Sequence, residues 1–232
     1  MRHSAKEEAI ILHDAGISQN TLSPSIMEDL QDAHLDLDLD YEKMTVKSVR
    51  KRSYHTWDHV LDVLSALNDA HADGVISDRE QPIVTMAALF HDSYYRPGAP
   101  EGDNENNSIE YMKKMLGKPR GTLTRVINLI GATALHGKLE RPLDSLTSLF
   151  MDADLAGLGC PWARFVVQND EVDEELMYVP NRARGAVKAG RIKFLEGMLN
   201  KQTVYLSNYF GRRYEWQARY NMQRLLLLVS EE

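Results

Sequence analysis

The chain has 232 residues, with 27 Lys and Arg against 34 Asp and Glu, a formal net charge of −7 and 43% hydrophobic positions. That composition excludes a disordered tail and a collagen-like repeat, and the acidic balance excludes a protein whose main task is gripping a phosphate backbone, which takes a surplus of cations. Cys160 is the one cysteine, so no internal disulfide and no thiolate cluster can form, and any metal must rest on imidazole and carboxylate.

No apolar run approaches the ~18 residues that a membrane span needs, and the start, MRHSAKEEAI, lacks the hydrophobic segment of a secretory signal. The expectation is a soluble cytoplasmic protein. Periodicity is helical nearly throughout, and no alternating β-branched run is bounded by turn pairs, so the predicted fold class is all-α. Leu22, Ile26, Leu30 and Leu35, mixed among acids, predict two or three short helices packed on the outside of the molecule. HLDLDLDYE alternates, but its outward positions Asp36, Asp38 and Asp40 read as a solvated face and only a weak strand signal.

Val60, Val63, Leu64 and Leu67 recur at i, i+3, i+4 and i+7, which predicts a helix over 56–71 with one apolar stripe. A second follows over 79–91, with Ile83, Ala87 and Phe90 on one side. Between them Gly74 supplies the stop and Asp78 a plausible N-cap. The stretch from Arg96 to Asn107 is rich in Pro, Gly and Asn and predicts a loop of the kind that rims active sites. Further helices are predicted over 105–116, 121–136, 144–157, 161–177, 182–200 and 211–229.

Three short pieces carry the chemistry: YHTWDH at 54–59, FHD at 90–92 and MDADL at 151–155. Residues four apart share a helix face, so His55 and His59 look into one cavity if their helix begins by about His55. MAALF followed abruptly by His91 and Asp92 is expected of a buried helix that delivers two ligands at its end. Asp154 stands where a leucine would otherwise go, and a buried carboxylate is costly unless a cation or a donor meets it. Two imidazoles and two carboxylates form a mixed N/O set suited to Mn²⁺, Fe²⁺, Co²⁺, Ni²⁺ or Zn²⁺. A divalent ion acidifies water and polarises a phosphoryl oxygen, which is hydrolytic chemistry.

This order of His, then His-Asp, then a distant Asp in an A-D-x-L context resembles the HD-domain metal-dependent phosphohydrolase superfamily. The resemblance implies an HD-domain-like helical bundle with the metal site among central helices, and His59, His91, Asp92 and Asp154 as ligands, with Asp152 the alternative last ligand. YHTWDH is also similar to the tyrosine-His signature of the helical cyclic-nucleotide phosphodiesterases, by which His55 is a candidate general acid. A closer likeness is to predicted HD-superfamily hydrolases that read Y-H-x-x-x-H, F-H-D-x-x-Y, N-E-x-x-S, T-x-x-H and D-A-D-L-x-x-L-G. This chain supplies Tyr95, Asn104, Glu105, Ser108, Thr133 and His136 in those places, and the likeness runs from about Lys51 to Leu228. One domain over 1–232 is expected: peripheral helices in 1–50, the metal-binding core in 51–160 and C-terminal helices in 161–232.

Several of these residues have two readings. Glu105 either orients a water at the metal as a base or complements a helix dipole. His136 binds substrate phosphate, joins a second metal or meets a helix C-terminus. Arg96, Lys188 and Arg191 are candidate phosphate contacts, because a polyphosphate needs cations beyond the metal. Tyr94, Tyr95 and Trp57 either stack a base or pack the core. His3, His13, His34 and His71 fit no spacing.

The functional expectation is a phosphohydrolase that uses one of Mn, Co, Fe, Ni, Mg or Zn. Its partner is a small phosphate substrate, a nucleotide by the superfamily resemblance, with no membrane and no stable nucleic-acid binding; a homodimer follows the habit of that superfamily. Two rival readings are a non-catalytic nucleotide- or metal-binding regulatory module and a diiron oxygenase of the HD-like fold. The second needs two further His ligands between Asp92 and Asp154, where only His136 is present.

Overall fold

The computed structural model describes residues 3–17, 26–28, 31, 52–116, 121–139, 144–179 and 182–231. The fold is all-α, with no strand among the described residues. Asp36, Asp38, Asp40 and the predicted outer helices carrying Leu22, Leu30 and Leu35 lie outside those residues. Two compact units divide the chain, one running to Ala134 and one from Leu135 onward.

The first unit contains α1 (Ala5–Asp14), α2 (Trp57–Ala72), α3 (Gln81–Phe90), α4 (Asp103–Leu116) and α5 (Thr122–Thr133). Ser4 and Glu7 form a reciprocal capping box at the start of α1, satisfying two backbone donors that a helix start leaves open. α1 then docks on α2 through polar ties: Trp57 Nε1 donates to Glu8 Oε1 at 2.7 Å, and Asn68 Nδ2 donates to the carbonyl of Ile11 at 2.9 Å. Trp57 is thereby a buried core residue. The stripe of α2 is buried as its spacing requires, with Val60, Val63, Leu64 and Leu67 at 1% exposure or less. Each such side chain contributes roughly 1.5–3 kcal/mol by leaving water.

Gly74, at φ 73°, ends α2 in the left-handed region, where a glycine carries no Cβ penalty. Asp78 does not cap α3. The N-cap is Glu80, whose side chain makes no capping bond to the helix and instead accepts the backbone N–H and hydroxyl of Ser77 at Oε2, while Asp78 pairs with His71 at 3.0 Å. Pro82 sits in the first turn of α3, where its missing N–H costs nothing. α3 is buried on nearly every side and packs against α2, α4 and α5. α4 begins at Asp103, two residues before the predicted start. α5 ends at Thr133, three residues short of the predicted end; there the Thr133 hydroxyl donates to the carbonyl of Ile130 at 2.8 Å.

The second unit contains α6 (Ser145–Asp154), a 3₁₀ turn (Ala156–Gly159), α7 (Trp162–Met177), α8 (Arg184–Leu199) and α9 (Asn208–Glu231). Asp144 caps α6 by accepting the N–H of Thr147. Beyond Asp154 the chain tightens into the 3₁₀ turn, which packs against α9. The predicted 144–157 helix is thus a shorter helix plus a turn. Buried Asn221 holds that turn, its Nδ2 donating to the carbonyls of Leu158 and Cys160 at 2.9 and 2.8 Å. α9 also ties down the segment before it: Glu215 accepts the N–H groups of Val204 and Tyr205, and Arg219 donates to the carbonyls of Leu199, Lys201 and Gln202.

Candidate metal centre

In the first unit three side chains from two helices converge. His59 leaves the first turn of α2 and is buried, His91 follows the last residue of α3 and is buried, and Asp92 comes next with its side chain 15% exposed. The apolar last turns of α3, Met86 to Phe90, stop where His91 and Asp92 begin. Ser93 closes its last turn, both its backbone N–H and its hydroxyl donating to the carbonyl of Phe90.

His91 Nε2 lies 3.4 Å from His59 Nε2 and 3.1 Å from Asp92 Oδ2, and the remaining edge, His59 Nε2 to Asp92 Oδ2, is 3.6 Å. Donors bound to one cation at about 2.0–2.2 Å, with angles of roughly 90–109°, stand about 3–3.5 Å apart. The triangle has that size. His91 Nδ1 is 2.8 Å from the carbonyl of Ala88. A carbonyl only accepts, so Nδ1 carries the ring proton and Nε2 turns its lone pair to the centre, as in metal-ligating histidines whose other nitrogen is fixed by the protein. These three residues could hold a metal ion. Two imidazoles and one carboxylate suit a divalent transition metal and leave further positions open.

His55 precedes the helix, because Thr56 is its N-cap, so the four-residue face argument does not apply. Its ring reaches the cluster in another way. It stacks on Tyr95 with centroids 3.6 Å apart and an interplanar angle of 19°, and its centroid lies 5.8 Å from that of His59. Tyr54 stands 4.9 Å from His55 and 4.8 Å from His59. Tyr95 thus packs on an imidazole, while Tyr94 is fixed through its backbone by the hydroxyl of Ser108.

Sequence reasoning missed Arg52. This buried guanidinium donates from Nη1 to the carbonyls of His55 and Asp92 and from Nη2 toward that of Ser93. It ties the entry to α2 to the exit from α3, the two places that deliver the donors. An arginine that closes the basic run Arg50-Lys51-Arg52 carries no periodic or spacing signal that would have marked it.

The N-E-x-x-S motif acquires a physical account. Asn104 and Ser108 are four apart on α4, and both clamp the segment leaving Asp92. Asn104 accepts the N–H of Arg96 at 2.9 Å and donates to its carbonyl at 3.3 Å, and Ser108 holds Tyr94. Glu105, between them, is half-buried in the first turn of α4. The Arg96 side chain reaches 4.0 Å from Asp103.

The other predicted site residues belong to the second unit. His136 lies in the turn before α6, and its Nε2 is 2.7 Å from Asp154 Oδ2, so a polar partner meets that carboxylate as its burial requires. Asp152 is fully buried and accepts the backbone N–H groups of Leu206 and Ser207 at 2.8 and 2.6 Å. Burial pushes its carboxyl up to about 6, outweighing the opposing hydrogen bonds from Ser207 and Leu206 and the nearby His136. It anchors the segment entering α9. Arg191, one of the predicted phosphate contacts, has its guanidinium 9% exposed and pairs with Asp173 at 2.6 Å while donating to the carbonyl of Asn169, so it joins α8 to α7. Lys188 is half-buried on α8.

No protein-family model matches the chain, and no curated protein matches it. Among the described residues no helix is long and apolar enough to cross a membrane.

Proposed function

We propose that this protein is a metal-dependent phosphohydrolase that cleaves a phosphate ester or anhydride of a small molecule. A nucleotide is the substrate class favoured by the sequence resemblance, and the cytoplasm the compartment favoured by composition. The observation that carries the reading is the triangle of His59 Nε2, His91 Nε2 and Asp92 Oδ2, with edges of 3.1, 3.4 and 3.6 Å. When bound, a divalent cation supplies Lewis acidity toward a phosphoryl oxygen and an acidified water.

The residues of the chain do the rest. His59 and His91 bind through neutral nitrogens, and Asp92 adds the one negative charge of the triangle and orients the nucleophile. His55, which stacks on Tyr95, gives a proton to the leaving oxygen in this reading. Glu105 takes the role of base, and Arg96 that of a phosphate contact. Asp154 as a further ligand, and His136 and Lys188 as phosphate contacts, enter this reading from the sequence.

The test is incubation of the purified chain with Mn²⁺, Co²⁺ or Mg²⁺ and a panel of nucleotides, with products resolved by chromatography. Turnover that disappears in Asp92→Ala, with helical content unchanged, supports the reading. A folded wild-type chain that binds the cation yet releases no phosphate from any nucleotide points to a regulatory module.

A further inference from the structure

The second unit carries two exposed helical stripes of opposite charge. On α9, Trp216 and Leu227 are 72% and 67% exposed, and Tyr220 between them is 43% exposed. These positions recur at i, i+4 and i+11, so they share one face. Trp216 and Tyr220 are already stacked, with centroids 5.5 Å apart and planes within 7°, which makes a flat aromatic plate standing in solvent. The charged residues exposed along this helix up to Ser230 are Arg212, Arg213 and Arg224, and none is acidic.

α7 presents the complementary pattern. Its exposed positions are Ala163, Val167, Asp170, Glu174 and Met177, at i, i+4, i+7, i+11 and i+14, and none is basic. The stripe is apolar at its ends and acidic in the middle; Asp170, 3.8 Å from Arg191 Nη1, keeps its side chain 71% exposed. At about 1.5 Å per residue, Val167 to Met177 and Arg213 to Leu227 span roughly 15 and 21 Å, comparable lengths for helix against helix. Within the unit the two helices touch, with the Arg224 guanidinium 4.1 Å over the ring of Trp162 at the start of α7.

We propose that these stripes are the two halves of a self-association surface, and that the occupant is a second copy of this chain. In a two-fold dimer, α9 of one protomer lies on α7 of its partner and the reverse contact follows by symmetry. The aromatic plate packs between Val167 and Met177 of the partner, and Arg213 and Arg224 face Asp170 and Glu174. Charge complementarity favours a second copy over any acidic peptide, because the chain itself carries an acidic stripe of matching length. Trp, Tyr and Arg are also the residue types that dominate interface energetics. The inference does not depend on the proposed activity.

Sedimentation velocity and light scattering on the full chain over a concentration series, at low and high salt, test it. The expected result is a dimer of twice the 26.4 kDa chain mass that weakens with salt. Trp216→Glu should raise the dissociation constant by about 30-fold or more, as loss of a central aromatic anchor does, with the circular dichroism spectrum unchanged. Glu174→Arg should weaken the dimer, and adding Arg224→Glu should restore it. A wild-type chain that stays monomeric at every concentration overturns the proposal, as does an open ladder of oligomers. A dimer that survives both Trp216→Glu and Glu174→Arg intact overturns it as well.

Discussion

Arg52 donates to the carbonyl of Asp92, forty residues further along the chain, from the same nitrogen that donates to the carbonyl of His55. One buried planar cation therefore sets the spacing of two backbone segments whose side chains form the His-His-Asp triangle. Arg52→Ala should lower affinity for Mn²⁺ or Zn²⁺ by about 10–100-fold, the usual cost of losing a group that positions ligands. It should also cost on the order of 2–3 kcal/mol of stability from carbonyls left without donors. Arg52→Lys keeps the charge but not the fork, so it should recover only part of the affinity. Calorimetric titration and thermal melts of the apo chain separate the two effects: a lower Tm with unchanged metal affinity would reduce Arg52 to packing.

Occupancy of the triangle should register as stability. A cation that binds only the folded chain adds about 2.7 kcal/mol at a hundred times its dissociation constant, so the Tm should rise with added Mn²⁺ or Zn²⁺ and fall back with chelator. His91→Gln and Asp92→Asn should abolish that response while leaving the apo melt nearly unchanged. Equal metal-induced shifts in wild type and both variants would remove the triangle from consideration.

Gly159, the last residue of the D-A-D-L-x-x-L-G motif, has a packing reason to be glycine. A Cβ there would sit 2.6 Å from the Cβ of Tyr214 and 3.1 Å from the Tyr205 hydroxyl. Gly159→Ala should cost about 1–3 kcal/mol in urea unfolding as the 3₁₀ turn and α9 are forced apart. Gly157→Ala is the control. Its new Cβ would meet Gln168 Oε1, the end of a flexible side chain, at 2.9 Å, so a smaller loss is expected; a reversed order would contradict this account.

The Asp152 carboxyl is raised by burial to about 6. Its unfolded value is about 3.9, so the folded state holds its proton more tightly and stability falls as pH rises between those two values. The contribution is fully present below about pH 4 and lost above about pH 6, with a size on the order of 3 kcal/mol. Asp152→Asn is uncharged throughout, and its cost from a lost acceptor does not vary with pH. The stability of wild type relative to this variant, from urea melts, should therefore be greater at pH 4.5 than at pH 7.5. A difference that is flat or grows with pH would contradict the burial argument.

Much of the fold was legible because helical periodicity is local: the stripe of Val60, Val63, Leu64 and Leu67 needs only its own spacing to declare a buried face. The cluster of His59, His91 and Asp92 was legible because such side chains are costly beside apolar runs such as MAALF. Capping was less so, since Asp78 is the residue type that caps a helix, yet its carboxylate pairs with His71 and the N-cap position falls to Glu80. The ion pairs of Arg191, named from the sequence as a candidate phosphate contact, were not legible because the acids that meet it, Asp170 and Asp173, lie on a different helix. Arg52 was invisible for the related reason that its partners are backbone carbonyls, which every residue has.

α3 is sheathed in side chains along its length, and His91 and Asp92 follow directly on its C-terminus. The aligned peptide dipoles of a helix leave a partial negative charge at that terminus, equivalent to roughly half an electron, and it acts over the last turn. A cation received by the triangle would meet this field as well as the three donor atoms. The attraction comes from backbone geometry and persists whichever divalent metal the cell provides.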